Sequence, residues 1–337
     1  MSGAIVILNY NGAQHLKAYL PSVLAHCAQW DVFVADNAST DNSVAVLETQ
    51  FSEVQLIHLP ENYGFAGGYN EALKHLEGKY EYYFILNSDV RLSANWDTPL
   101  LQFLSQNPQA AAVQPKILSE RKPEYFEHAG AAGGYIDSLY FPFCRGRLFH
   151  ICETDQAQYN SIQEVTWTSG AAMLIRAQDF HQQQGFDAHF FAHMEEIDLC
   201  VRLGQQGRKF YCHTDSTVWH YGGATLDYDH PKKLFLNFRN SLWMLVKNQQ
   251  RFLFPVLFLR MLLDGVAGIQ FLFKGKPILT WQIFLAHVAL YRHFGRNYRL
   301  RQKSKSSFFK YHGLIIWDFY GKQIKAFHQL NKRKFHS

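Results

Sequence analysis

The sequence lacks several features that would assign it to a structural class at once. Its five cysteines are an odd number and contain no CxxC pair. This argues against a disulfide framework or a structural zinc site and fits a reducing compartment. The amino-terminus, MSGAIVILNYNG, has neither a basic segment nor a long apolar run, so we expect no signal peptide. No solenoid-type repeat or low-complexity segment is present either.

Charge is scarce and unevenly placed. Charged residues make up 18% of the 337 positions, below the usual share of about a quarter. From Arg292 onward there are twelve lysines and arginines and one acid, Asp318. The net charge of +5 therefore comes from this tail, and the rest of the chain is slightly acidic. Aromatic residues are interleaved with the basic ones, but an apolar segment precedes them, so we expect a lipid surface and no nucleic acid as the partner.

Long uncharged runs are also missing. The most apolar segment, RFLFPVLFLRMLLDGVAGIQFLFKGKP, is interrupted by Arg260 and Asp264. Its uncharged runs fall well short of the ~20 residues that span a bilayer. The two charges are four positions apart and can pair on one face of a helix. The pattern therefore favours a helix that lies on a membrane surface or packs on the core over a transmembrane helix.

The sequence does contain a regular alternation of strand and helix patterns over its first 120 residues. The apolar runs AIVILNY, WDVFVADN, VQLIHL and EYYFILN are separated by helical patterns. This predicts an α/β fold with a mostly parallel sheet flanked by helices. We place the main domain at residues 1–240 and a helical, apolar and basic region at 241–337. Ligands bind such sheets at the carboxyl ends of the strands, where polar residues cluster in this sequence.

On the residues alone, these polar clusters also have ordinary structural explanations. Asp36 suits a turn or an N-cap before the next helix, and Asn87-Ser88-Asp89 can be the polar end of a strand. The glycines of ENYGFAGGYN precede a helix, whose N-terminus favours anions. They do not form GxGxxG and they follow the third strand, which argues against a nicotinamide-binding Rossmann enzyme.

Taken together and in order, seven motifs resemble the inverting family 2 glycosyltransferases of the GT-A fold: VILNYNG, VADNASTDNS, ENYGFAGGYNEAL, YFILNSDV, WTSGAAMLIR, FFAHMEEIDLCVRL and VWHYGGAT. The resemblance is to the branch with rhamnosyltransferase-like enzymes of surface-polysaccharide assembly, and it covers about residues 3–245. It implies a Rossmann-like GT-A domain. The implied reaction is metal-dependent transfer of rhamnose or a hexose from a dTDP- or UDP-sugar to a hydroxyl of a glycan or lipid-linked glycan.

The resemblance also implies a donor site and a metal site. Asp36 would accept a hydrogen bond from the imide N–H of a pyrimidine base. Asp89 stands at the last position of the DxD motif and would bind Mg²⁺ or Mn²⁺, while Asn87 offers only a neutral oxygen. His220, in VWHYGG, matches a histidine that binds the same metal. The residues expected to contact the nucleotide-sugar are Asn9, Asp36, Asn62, Gly67, Asn70, Asn87 and Ser88.

The general base is expected in HMEEIDLCVR, because inverting transfer needs a carboxylate to take the proton of the acceptor hydroxyl. Glu196 falls at the family's base position, but relatives mostly have Asp there, so Glu195 stays the alternative. Glu195, Glu196 and Asp198 are crowded, which should raise the pKa of at least one of them. Asp198 can instead pair with Arg202 one helical turn later.

The acceptor is expected at WTSG, which supplies an aromatic platform and hydroxyls: Trp167, Ser169 and Gly170, although Trp167 suits the core equally well. The expected location is the cytoplasm, peripheral on the inner face of the cell membrane, where anionic lipids attract the basic tail. Two rival functions stay open. A sugar-nucleotide nucleotidyltransferase would normally carry a glycine-rich loop with Arg and Lys after the first strand. A non-catalytic glycan-binding relative would not need the metal and base residues.

Overall fold

The computed structural model describes residues 2–222, 230–304 and 306–337. The end of the VWHYGGAT motif, at 223–225, and position 305 of the basic tail lie outside these ranges. The first part of the chain alternates between strands and helices, as predicted. Its elements are β1 (Gly3–Asn9), α1 (Ala13–Ala25), β2 (Asp31–Asp36), α2 (Ser43–Gln50), β3 (Gln55–His58), α3 (Gly64–Lys74) and β4 (Tyr82–Asn87).

The middle of the chain is richer in short strands. It contains β5 (Val90–Arg91), α4 (Thr98–Gln106), β6 (Ala110–Ser119), β7 (Gly134–Ile136), β8 (Pro142–Cys144), β9 (Arg147–Leu148) and β10 (Ile151–Cys152). It continues with β11 (Gln163–Val165), β12 (Ala172–Arg176), α5 (Ala177–Gln182), a 3₁₀ turn (Ala188–Phe190), α6 (Glu195–Gly204) and β13 (Lys209–His220). Strands β7 to β10 form a small antiparallel sheet of their own.

The main sheet has the order β11-β13-β6-β12-β4-β1-β2-β3, and β5 pairs with β13. Strands β3, β2, β1 and β4 are parallel, whereas β12 lies antiparallel between β4 and β6. In the register of the parallel part, Asn9 is level with Asp36, and Leu8 is level with Asn87. The carboxyl ends of β1, β2 and β4 therefore meet at one edge, which brings the predicted polar residues together.

Both faces of the main sheet are buried, which explains why its strands are continuously apolar. Along β1, Ala4 and Val6 face a core that includes Tyr69 of α3. The alternate residues Ile5 and Ile7 face a second core that includes helix α1. Because successive side chains of a strand point to opposite faces, one apolar run serves both layers.

The C-terminal region packs three helices on this body: α7 (Pro231–Asn248), α8 (Leu253–Phe273) and α9 (Pro277–Arg299). Helix α7 spans position 240, where we predicted a domain boundary. The tail adds two short strands, β14 (Lys310–Tyr311) and β15 (Phe335–His336), a π-helical turn (Trp317–Gly321) and two 3₁₀ turns (Phe327–Gln329 and Lys332–Lys334). The tail folds back onto the domain, since the backbone N–H of Ile315 donates to buried Asp137 at 2.9 Å.

Candidate active site

The carboxyl ends of β1 and β2 are joined by a hydrogen-bond network around Asp36. Asn9 Nδ2 donates to Asp36 Oδ1 at 3.0 Å and to Ser39 Oγ at 3.1 Å. The backbone N–H of Ser39 donates to Asp36 Oδ2 at 2.9 Å. Asn9 Oδ1 has no partner among the described residues, and it lies against Gly12, where a Cβ would come within 2.4 Å of it. Asn9 and Asp36 thus form one fixed polar unit at the predicted donor edge.

The loop before α3 is shaped by a second pair of amides. Asn37 Nδ2 donates to Asn62 Oδ1 at 3.0 Å, and the N–H of Gly64 donates to the same oxygen at 2.8 Å. Asn37 Oδ1 accepts the N–H of Tyr63 at 3.0 Å. Asn62 therefore holds the loop that begins the glycine-rich helix. Its predicted contact with the nucleotide-sugar stays a prediction.

Two further predicted donor residues lie on α3 and have packing contacts. Asn70 Nδ2 donates to the carbonyl of Phe186 at 2.7 Å, and Asn70 Oδ1 accepts the N–H of Phe186 at 2.9 Å. This pair ties α3 to the segment that leads to α6. Gly67 is pressed against Tyr63, where a Cβ would lie 2.9 Å from the Tyr63 Cβ. Ser88 lies at the end of β4, with its Oγ 3.7 Å from where a Cβ of Gly12 would be.

Asp89 and His220 come together from distant parts of the chain. His220 Nε2 lies 3.1 Å from Asp89 Oδ1, and both side chains are buried. Asp89 Oδ2 accepts the N–H of Gly222 at 3.2 Å. Asn87 Nδ2 lies 3.3 Å from His220 Nε2. Strand pairing enforces this meeting, because His220 at the end of β13 is in register with Val90 of β5, the residue after Asp89.

This pair suits a divalent cation. An octahedral ion with bonds of about 2.1 Å keeps adjacent ligand atoms about 3 Å apart, which matches the separation of Asp89 Oδ1 and His220 Nε2. Among the described residues, no third His, Cys, Asp or Glu completes a metal-binding group. Two protein ligands leave several positions of such an ion for phosphate oxygens and water, as is usual for Mg²⁺ sites that also bind nucleotides.

Glu127 is a buried residue of this cluster that we did not predict. Its Oε2 lies 3.4 Å from His220 Nδ1 and accepts the N–H of Ala129. A metal-binding histidine commonly directs its second ring nitrogen at a carboxylate, which fixes the ring and its tautomer. Glu127 is placed to do this for His220, leaving Nε2 on the side of Asp89. No motif marked this glutamate, because it lies in an irregular segment after β6.

The charges in this cluster shift one another's pKa values. Burial alone would lower the pKa of His220, but Asp89 and Glu127 raise it well above its usual value. Burial would raise the pKa of Asp89 and of Glu127, but His220 lowers both below their usual values. A metal ion binds the neutral imidazole, so metal binding at this site would release the proton from His220.

The two candidate bases begin helix α6 and differ in their surroundings. Glu195 is 3% exposed, whereas Glu196 is half-buried. Burial raises the pKa of Glu196 to about 7. Burial and the charge of Glu196 raise the pKa of Glu195 well above its usual value. Asp198 pairs with Arg202 at 2.8 Å, as predicted, and Lys247 and Arg202 hold its pKa below the usual value despite burial.

The three predicted acceptor residues lie in different environments. Gly170 borders the candidate base Glu196, because a Cβ at Gly170 would be 3.7 Å from the Glu196 Cβ. Ser169 is buried and donates to the carbonyl of Ala129 at 2.6 Å. Trp167 is 3% exposed and donates its Nε1–H to the carbonyl of Tyr135 at 3.0 Å. These are the contacts of a core tryptophan. Of the three residues, Gly170 lies beside the candidate base, and the acceptor roles stay predictions.

Comparison with known proteins agrees with this architecture. The family model Glycosyl transferase family 2 matches residues 4–174. An N-acetylglucosaminyl-diphospho-decaprenol L-rhamnosyltransferase of Mycobacterium tuberculosis is 26% identical over 264 residues, which cover 71% of this chain and 85% of that protein. Rhamnosyltransferase WbbL of Escherichia coli K12 is 22% identical over 213 residues, covering 61% of this chain and 78% of that protein.

Solved structures show the same fold at low sequence identity. The mannosyltransferase PcManGT from Pyrobaculum calidifontis, in complex with GDP-Man and Mn²⁺, superposes with a TM-score of 0.52 at 13% identity, over 87% of this chain and 86% of that one. GalNAc-T7 with UDP, GalNAc and Mn²⁺ gives a TM-score of 0.58 at 12% identity, and the match spans 89% of this chain and 58% of that one. The chain belongs to glycosyl transferase family 2 and is a rhamnosyltransferase-like glycosyltransferase with the GT-A fold.

Proposed function

We propose that this enzyme is a metal-dependent, inverting glycosyltransferase of surface-polysaccharide synthesis. It moves rhamnose or a hexose from a dTDP- or UDP-sugar to a hydroxyl of a glycan or lipid-linked glycan. The observation that carries the proposal is the contact between Asp89 and His220, 3.1 Å apart at the carboxyl edge of the sheet. The names of the relatives support the sugar and the acceptor, since the mycobacterial protein is a rhamnosyltransferase of a diphospho-decaprenol-linked sugar.

In this proposal, Asp89 and His220 hold a Mg²⁺ or Mn²⁺ ion together with the donor diphosphate. When bound, such a cation offsets the negative charge that develops on the leaving group. The network of Asn9 and Asp36 lies where the nucleoside base would bind, and the loop held by Asn62 leads into the N-terminus of α3, which favours phosphate. These groups position the donor, and a different residue takes the proton of the acceptor hydroxyl.

Glu196 then acts as the general base. Its carboxylate accepts the proton of the acceptor hydroxyl while that oxygen attacks the anomeric carbon. The bond to the nucleoside diphosphate breaks on the opposite side, so one displacement inverts the configuration. Gly170 leaves room beside Glu196 for the acceptor, because any side chain there would point at Phe65 and the base.

The proposed location is the cytoplasmic face of the membrane, where a lipid-linked acceptor would be available. Helix α8 is long and apolar enough to cross a bilayer, but Arg260 and Asp264 are buried against the protein. The outward face of α8 is instead a row of exposed apolar side chains, with Phe254 and Phe258 at 66% and 72% exposure. Such a face suits a helix lying in the membrane interface.

A transfer assay with metal control tests the function. The purified enzyme is given dTDP-rhamnose or UDP-hexoses and an N-acetylglucosaminyl-diphospho-lipid, with Mn²⁺ or with EDTA. We expect transfer with Mn²⁺ only, and a loss of at least about 100-fold in Asp89→Asn, since metal stabilisation of the leaving group amounts to several kcal/mol.

The matched control is Asp215→Asn, an exposed acid on the same strand as His220, which should keep full activity. Full transfer by wild type in EDTA, or full activity of Asp89→Asn with Mn²⁺, would overturn the metal assignment. Synthesis of a sugar nucleotide from a sugar phosphate, without any transfer, would point to the nucleotidyltransferase alternative.

A further inference from the structure

The loop that leads into helix α6, here called the base helix because it begins with Glu195 and Glu196, has a strained backbone. Phe191, His193 and Met194 have φ values of 65°, 71° and 74°. Non-glycine residues rarely adopt this left-handed region, and each such residue costs about 1–3 kcal/mol. Met194 directly precedes Glu195, the first residue of α6. The strain is therefore concentrated where the chain sets the direction of the base helix.

This loop also contacts the donor side. The carbonyl of Phe191 accepts the N–H groups of Phe65 and Ala66 at 2.6 and 3.1 Å, at the start of α3. Gly64 has a φ of +70°, and a Cβ there would lie 2.5 Å from the Phe191 ring. Residues 190–194, which we call the connecting loop, thus touch the glycine-rich loop at one end and carry the base helix at the other.

Asn240 of α7 holds this loop from behind. Its Nδ2 lies 3.0, 2.8 and 2.7 Å from the carbonyl oxygens of Phe190, Ala192 and His193. Asn240 has 0% exposure, so its amide is shielded from water. Its Oδ1 accepts from Arg239 Nε at 2.8 Å, which fixes the orientation of the amide. The two N–H groups of this amide are shared among three carbonyls. The carbonyls of such an irregular turn have no helix or sheet partners, so a side chain supplies their hydrogen bonds.

We propose that Asn240 is a positioning residue for the transfer reaction. By binding the carbonyls of the connecting loop, it fixes helix α6 relative to the glycine-rich loop before α3. The inference rests on the proposed role of Glu196 as the base. Without this amide, the loop can relax toward ordinary backbone angles, which displaces the start of α6. A displacement of about 1 Å in a reacting group can lower a rate on the order of 100-fold.

The effect should fall on turnover more than on donor binding. Most of the proposed nucleotide and metal contacts lie on or just after β1, β2, β4 and β13, to which Asn240 makes no hydrogen bond among the described residues. Asn240 reaches the start of α3 only indirectly, through the connecting loop and its Phe191 carbonyl. We therefore expect Asn240→Ala to lower kcat by about 10- to 100-fold. The KM for the donor and the affinity for Mn²⁺ with nucleoside diphosphate should stay within about threefold, because the groups that hold them are unchanged. Asn240→Ser keeps one hydrogen-bond donor, a hydroxyl on a shorter side chain, and should recover part of the kcat.

The experiment compares wild type, Asn240→Ala, Asn240→Ser and the control Asn237→Ala. Asn237 lies one turn earlier on α7, and its side-chain amide donates within that helix, to the carbonyl of Lys233 at 2.9 Å. Each protein is measured for kcat, donor KM, calorimetric binding of nucleoside diphosphate with Mn²⁺, and melting temperature. The control should match wild type in all four.

The outcomes separate this inference from the proposed function. Normal kcat in a folded Asn240→Ala or Asn240→Ser protein overturns the positioning role. Equal losses of kcat and of nucleotide binding also overturn it, since they indicate general unfolding. If Asn240→Ala does not fold, the comparison of Asn240→Ser with the control decides. A wild type that binds nucleotide but transfers no sugar refutes the proposed function first, and this inference with it.

Discussion

Glu195 and Glu196 are neighbours in sequence, yet their environments suit them to different states. Glu195 is almost fully buried, whereas Glu196 is half-buried, and one carboxylate oxygen of each has no hydrogen-bond partner among the described residues. Burial and the neighbouring charge of Glu196 raise the pKa of Glu195 well above the usual value. Burial raises the pKa of Glu196 to about 7, where a base is both ionised and strong enough to take a proton. The pair therefore favours Glu196 as the base.

We expect the transfer rate to follow the ionisation of Glu196. The carboxylate form is the active one, so kcat/KM should rise as the pH increases through about 7 and level off above it. Glu196→Gln should lower the rate by about 100-fold or more, because general-base catalysis contributes on the order of 10²–10⁴. The measurement is the pH profile of kcat/KM between pH 5.5 and 9 for wild type and both glutamine variants.

Glu195→Gln is the matched control, because glutamine resembles the protonated acid in shape. It should keep most of the activity and a similar profile. An inactive Glu195→Gln beside an active Glu196→Gln would move the base by one position.

Residue by residue, the sequence could indicate only part of the candidate site. Asp89 and His220 stand in recognisable motifs 131 positions apart, and the structure brings them into contact. Glu127 and Asn240 carry no such mark. Their contacts depend on how an irregular segment and helix α7 pack against β13 and the connecting loop, and neither packing is encoded in local spacing.

Among the elements, prediction worked best where the pattern is local. Strands β1 to β4 were predicted within a residue or two, because each is a short apolar run bounded by turn residues. The antiparallel insertion of β12 between β4 and β6 could not be predicted. An isolated apolar run such as AMLIR does not specify its partner or its direction. The small sheet of β7 to β10 was missed for the same reason, since its strands are only two or three residues long.

Helix α8 shows how two charges can orient an apolar element. Arg260 and Asp264 pair at 3.1 Å, as their spacing predicted, and both face the protein. The guanidinium also donates to the carbonyl oxygens of Leu139 and Tyr140 at 3.2 and 3.3 Å, and to Ser241 Oγ. These bonds fix which side of α8 faces the core. The opposite side then carries exposed apolar side chains, among them Phe254 and Phe258.

Removing the cation of this buried pair should destabilise the protein strongly. We expect Arg260→Leu to lower the free energy of unfolding by about 3–5 kcal/mol, because buried Asp264 then keeps only the more distant His287, whose Nε2 lies 3.6 Å from Asp264 Oδ2. Urea unfolding followed by circular dichroism measures the loss. The double variant Arg260→Leu/Asp264→Leu should be less destabilised, since no isolated charge remains. The control is Arg251→Leu, at an exposed position just before α8. Equal stability of Arg260→Leu and Arg251→Leu would contradict this account.

At the scale of the whole molecule, the basic tail does not act as a free arm. Tyr311 donates to Asp318 Oδ2 at 2.5 Å, and Tyr311, Phe319 and Leu330 are buried. Part of the positive charge is thus fixed on the surface beside the domain. A row of exposed apolar side chains covers the outer sides of α8 and α9. Exposed Lys274 and Lys276 lie at the turn between these two helices.

The apolar outer sides of α8 and α9, with the lysines at the turn between them, predict that these two helices bind anionic membranes. Wild type should partition onto vesicles containing phosphatidylglycerol, and less onto pure phosphatidylcholine, because Lys274 and Lys276 are attracted to anionic headgroups. Phe254→Gln/Phe258→Gln should weaken binding about tenfold or more, since burying one phenylalanine contributes about 1.5–3 kcal/mol. Ile162→Gln, at an exposed apolar residue away from these helices, should bind like wild type. Sedimentation with vesicles measures each partition. Unchanged binding of the double variant would refute the assignment, and a lipid-independent dimer broken by the same substitutions would show that a second copy covers this face instead.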